Sequence, residues 1–127
     1  MSIRSISAVT FAVSDMARSV PFYLKLGFEL GYGGPEASFT SFQVGESFVN
    51  LVATKDYSGR WWGRAIFRVD DVDAQYRALR AAHLEPDEPK DAAWGERFFH
   101  ITDPDGHELS FAEPLRPRSG AEEGGTA

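Results

Sequence analysis

The sequence predicts an α+β fold of two βαβββ modules. Three observations predict it: strand periodicity followed by an Asp-capped helical segment, the recurrence of that unit 56 residues later, and short strands after each helix. With 127 residues, 43% of them hydrophobic and 25% charged, the chain has material for one ordinary core, and a single domain over residues 1–114 is expected.

In the first module, residues 5–55, Ala8 to Val13 alternates, placing Val9, Phe11 and Val13 on one face. Asp15 stands at an N-cap position. Met16, Val20, Tyr23 and Leu24 follow at helical spacing and end before Gly27, with Pro21 expected to bend the helix. Extended segments at 28–32, 38–44 and 47–53 are separated by Gly33-Gly34-Pro35 and Gly45-Glu46.

In the second module, residues 62–114, a strand from Arg64 to Val69 precedes Asp70-Asp71, and Val72, Tyr76, Leu79 and His83 lie on one side of a second helix. Asp70, Asp71 and Asp73 read as capping and dipole complementation. A faint strand is expected near Leu84-Glu85, then strands at 97–102 and 107–112 joined by the turn Asp103-Pro104-Asp105-Gly106. Shifting by 56 residues lays Val9, Phe11, Val13 and Asp15 on Ala65, Phe67, Val69 and Asp71. The tail, 115–127, has almost nothing to bury and is expected to be disordered.

Composition excludes several functions. A net charge of −6 disfavours phosphate backbones and anionic membranes, and the lack of cysteine removes disulfides, thiolate metal sites and a thiol nucleophile. No apolar run approaches a membrane span, and Met1-Ser2-Ile3-Arg4 is unlike a secretory signal, so a cytoplasmic chain is expected. The aromatic content of 13% fits either a compact core or an aromatic-lined pocket.

Val13-Ser14-Asp15 to Phe22-Tyr23, Leu26-Gly27-Phe28, Trp94-Gly95-Glu96-Arg97 and Asp103-Pro104-Asp105-Gly106-His107-Glu108-Leu109 resemble the vicinal oxygen chelate superfamily. It includes glyoxalase I, extradiol dioxygenases, fosfomycin-resistance enzymes and bleomycin-resistance binding proteins, and the resemblance implies that the two modules form mixed sheets curled around a cavity, with the helices on the outside. Where members bind metal, the resemblance implies that the four ligand positions fall on Ala8, Asn50, Arg64 and Ser110. Ala8 has no donor, Arg64 is a permanent cation, and Asn50 and Ser110 are weak neutral donors, so no metal and no other cofactor is expected. Trp94-Gly95-Glu96-Arg97-Phe98-Phe99 resembles the bleomycin-resistance branch, which implies sequestration of an antibiotic or other small organic ligand, without turnover, in clefts between the two subunits of a homodimer.

The ligand-binding residues expected on this reading are Asn50, Trp61, Trp62, Arg64, Arg68, Trp94, Phe98, His100, Glu108 and Ser110. Arg64 and Arg68 share strand parity and favour an anionic ligand, unless Glu108, in the parity of Ser110, pairs with one of them. Trp61 and Trp62 pack on the core, on a second subunit or on a ligand. His100 shares parity with Phe98 and Thr102, whereas His83 and His107 read as structural or solvated. The alternatives are a lyase or isomerase using Arg64, His100 or Glu108 in place of a metal, and a regulatory domain with an empty cavity.

Overall fold

A computed structural model describes residues 2–115; the tail expected to be disordered lies almost wholly outside them. The element order is β1 (Ala8–Val13), α1 (Met16–Leu26), β2 (Glu29–Tyr32), β3 (Phe39–Val44), β4 (Ser47–Ala53), β5 (Arg64–Arg68), α2 (Val72–Ala81), β6 (Lys90–Asp91), β7 (Glu96–Thr102) and β8 (Glu108–Pro114). It is an α+β fold of two βαβββ modules. Each has a four-stranded mixed sheet, in the orders β1-β4-β3-β2 and β5-β8-β7-β6. The first and last strands of each module run parallel; the other neighbours are antiparallel.

The chain divides into two compact units: the part up to Arg60 together with Asp103–His107, and Trp61–Thr102 with the part from Glu108 on. In the first unit Asp15 caps α1, its carboxylate accepting the Arg18 amide. Gly27 ends the helix at φ 107°, a left-handed conformation that costs glycine little. The helix continues through Pro21. Val20, Tyr23 and Leu26 pack with Phe11, Val13, Phe42, Val49 and Leu51 as the buried core, so α1 covers one sheet face. The other carries Ala8, Thr10, Asn50 and Val52.

The Asp103–Gly106 turn forms as expected, Gly106 N–H donating to Asp103 C=O, but it also anchors the first unit. The buried Tyr23 hydroxyl donates to Asp103 Oδ2 at 2.7 Å, while Oδ1 takes the amides of Asp105 and His107. Asp105 accepts the Ser14 hydroxyl at 2.6 Å, and His107 is buried with Nε2 2.8 Å from the Ala12 carbonyl. His107 is therefore structural.

In the second unit Asp71 caps α2, and Val72, Leu79, Phe99, Leu109 and Phe111 form the core. Two expectations are corrected. The faint strand at Leu84-Glu85 is the exit of α2, where Leu84 N–H donates back to the Leu79 carbonyl. The strand in its place is β6, pairing Lys90 with Phe98 and Asp91 with Arg97, and Arg97 grips both Asp91 and Asp73. His83 is not on the helix face: it follows α2 at φ 70° and is exposed. Among the described residues no helix is long and apolar enough to cross a membrane.

Candidate functional site

The candidate site lies on the face of the second sheet that α2 leaves uncovered. Pleating puts Arg64, Ile66 and Arg68 of β5, Glu108, Ser110 and Ala112 of β8, and Glu96, Phe98, His100 and Thr102 of β7 on this face. The register sets them in rows: Arg64, Glu108, Thr102; then Ile66, Ser110, His100; then Arg68, Ala112, Phe98, with Lys90 beyond.

Glu108 is the hub of the first row. Its Oε1 accepts the Trp61 indole N–H at 2.8 Å, and its Oε2 accepts Arg64 Nε at 2.9 Å and lies 2.8 Å from Nη2. The Trp61 hydrogen bond, then Arg64, hold the Glu108 carboxyl below the usual range. One row on, His100 Nδ1 lies 2.6 Å from Ser110 Oγ and 3.8 Å from Glu108 Oε2. Serine and carboxylate thus approach the same ring nitrogen. A nucleophilic relay needs them on opposite nitrogens, so Ser110, which is buried, is not an activated nucleophile.

Aromatic groups flank this polar set. Trp94 stacks on Phe98 at 5.8 Å between ring centroids, Phe98 meets the His100 ring at 5.0 Å, and Lys90 Nζ sits 5.6 Å from the Phe98 centroid. Trp94 Nε1–H donates to Glu96, a carboxylate only 6% exposed. Trp61 and Trp94 are 69% and 59% exposed, yet each indole N–H is tied to a carboxylate. Both therefore leave ring faces exposed while their donors are occupied.

Of the residues expected to bind ligand, the second sheet gathers Trp61, Arg64, Trp94, Phe98, His100, Glu108 and Ser110. Arg68 is on the same face, exposed and without an ion pair among the described residues. Trp62 is also largely exposed. Asn50 belongs to the first sheet, where its amide donates to Thr10 Oγ1 at 3.3 Å. Glu96 and Lys90 were missed by sequence reasoning. The signal for Glu96 was its parity with Phe98 and its place two residues after Trp94; for Lys90 there was none.

The donor chemistry does not fit a divalent ion. On the first sheet Ala8 offers nothing and Asn50 one amide oxygen; on the second, Arg64 directs N–H donors at Glu108, and Ser110 is engaged by His100.

Two βαβββ modules, each a four-stranded mixed sheet with one face covered by its helix, define a class of two-module domains. The chain belongs to the Glyoxalase/Bleomycin resistance protein/Dioxygenase superfamily, whose model matches residues 5–111. Among solved structures it is similar to TnmS3, an antibiotic binding protein from Streptomyces sp. CB03234, with TM-score 0.71 and 27% identity over 90% of this chain and 98% of that one. It shares the fold of a bleomycin-binding protein complexed with bleomycin, with TM-score 0.72 and 20% identity over 87% and 98% of the two chains. A Mycobacterium bovis relative, uncharacterized protein Mb0911c, is 27% identical over 121 residues, covering 82% of this chain and 80% of that one.

Proposed function

We propose that the chain is a metal-independent small-molecule binding protein of the antibiotic-binding type, holding a flat organic ligand against the uncovered face of its second sheet. The observation that carries this reading is the Arg64–Glu108 pair. A guanidinium stands where the family resemblance puts a metal ligand, and its charge is met by a carboxylate that Trp61 also binds. The exposed rings of Trp61 and Trp94 supply stacking area beside this set. The likeness to TnmS3 supports an antibiotic as ligand.

With Arg64 neutralised, the positive charge open to a ligand on this face is reduced to Arg68 and Lys90, so the site does not by itself demand an anion. A homodimer is part of the reading. Phe39, Phe48 and Val52, exposed apolar residues of the first sheet, suit burial by a second copy, and the molar mass in solution measures it.

Elemental analysis of protein purified without chelator, followed by tryptophan-fluorescence titration with bleomycin, tests the reading. The expected result is no stoichiometric divalent ion and a saturable change in fluorescence. A stoichiometric bound ion would contradict metal independence, and turnover of the bound compound would favour the lyase or isomerase.

A further inference from the structure

The neighbours of His100 set where its proton sits. Nδ1 faces Ser110 Oγ at 2.6 Å and Glu108 Oε2 at 3.8 Å. Glu108 is kept anionic by Trp61 and Arg64. A proton on Nδ1 directs the positive end of an N–H dipole at this carboxylate and gives Ser110 Oγ a hydrogen bond to accept. A lone pair on Nδ1 would point at the same negative charge. For a neutral ring this geometry favours the tautomer with the proton on Nδ1 and the lone pair on Nε2.

Among the described residues no hydrogen bond reaches Nε2, and the side chain is 28% exposed. Beside it lies the aromatic ledge of Phe98 and Trp94. A basic acceptor next to a stacking surface matches a planar ligand that carries its donor in the ring plane. Other charges near the ring are Asp87, which accepts the His100 backbone N–H at 2.7 Å, Arg64, which is paired, and Lys90 over Phe98.

We propose that His100 Nε2 accepts the acidic O–H or N–H of a planar conjugated ligand, such as a phenol, and that Ser110 and Glu108 are positioning residues holding the acceptor tautomer. This rests on the uncovered face of the second sheet being the ligand site. With a sufficiently acidic phenol the proton transfers. The O–H bond breaks, its electron pair stays on the phenolate oxygen, and the Nε2 lone pair forms the new N–H bond. The resulting imidazolium faces Glu108 through Nδ1–H and the phenolate through Nε2–H, with no change of oxidation state.

The test uses 4-nitrophenol, whose absorbance separates phenol from phenolate, and 4-nitroanisole, which has no proton to give. Both are titrated at a pH where free nitrophenol is mostly the phenol. Nitrophenol is expected to bind about tenfold tighter than nitroanisole, with a phenolate band growing as sites fill. His100→Gln should lose both the band and the preference while keeping the native circular dichroism spectrum. Nitrogen-15 spectra of histidine-labelled wild type should show His100 protonated at Nδ1, and Glu108→Gln should shift it toward a tautomer mixture, a change that loss of packing alone would not give. Equal affinity for the two probes, or a preference that survives His100→Gln, would overturn the proposal and leave the site reading standing. If neither probe binds but bleomycin does, the proposal alone falls; if none of the three binds, the site reading falls with it.

Discussion

Arg64 and Glu108 face each other across β5 and β8, and the guanidinium holds one carboxylate oxygen through Nε at 2.9 Å and Nη2 at 2.8 Å. The Glu108 carboxyl is held below its usual value, first by the Trp61 N–H and then by Arg64. A depressed folded value adds stability that is complete above the unfolded value, about 4.3 for Glu, and is lost as pH falls through the folded one. For a pair this open to water the contribution is under about 1 kcal/mol. Glu108→Gln should therefore be slightly less stable than wild type at pH 7, with the gap shrinking in acid. Urea denaturation at both pH values checks this.

The Tyr23 hydroxyl donates to Asp103 Oδ2 inside the first unit. Tyr23→Phe leaves a buried carboxylate oxygen without that donor and should cost about 1.5–3 kcal/mol in urea denaturation. Burial, then Asp103, pushes the Tyr23 hydroxyl far above the usual tyrosine range. A raised folded value contributes stability that is complete below the unfolded value, about 10, and is lost as pH rises toward the folded one. Above about pH 10 the wild type should lose stability more steeply than Tyr23→Phe.

His83 holds a left-handed conformation at φ 70° after α2, with its side chain exposed. Glycine meets no Cβ penalty there, so His83→Gly should stabilise the protein by about 0.5–1 kcal/mol, read as a higher Tm.

Trp94 stacks on Phe98 and stays largely exposed. If it forms part of the ligand face, Trp94→Ala should weaken ligand binding by about tenfold, whereas Trp94→Phe, which keeps a stacking ring, should lose less. Affinities from calorimetry separate the two.

Most of the fold was legible because its signals are local. Alternation marks β1, and Asp15 and Asp71 announce the helices they cap. β6 was not legible: two residues carry no periodicity, and the Arg97 contacts to Asp73 and Asp91 that accompany its pairing join residues far apart in pattern. Leu84 looked extended because the backbone hydrogen bond that closes α2 leaves no mark on composition. In the site, strand parity joined Arg64 with Arg68, His100 with Phe98 and Glu108 with Ser110, the resemblance gave Arg64 and Ser110 their cavity positions, and the pairing of Glu108 with an arginine was one of the alternatives left open. The Trp61–Glu108 and Trp94–Glu96 hydrogen bonds were not legible, since both tryptophans lie outside the strands, where periodicity does not describe the conformation. The double duty of Asp103, turn former and buried partner of Tyr23, needs contacts 80 residues apart.

The most direct measurement of metal-independent binding is tryptophan fluorescence of chelator-treated, metal-free protein titrated with bleomycin and other antibiotics. A saturable change with at least one of them, unaltered when zinc or manganese is added back, is the result expected. Binding that appears only with the restored ion, or no binding by any compound, would contradict the account.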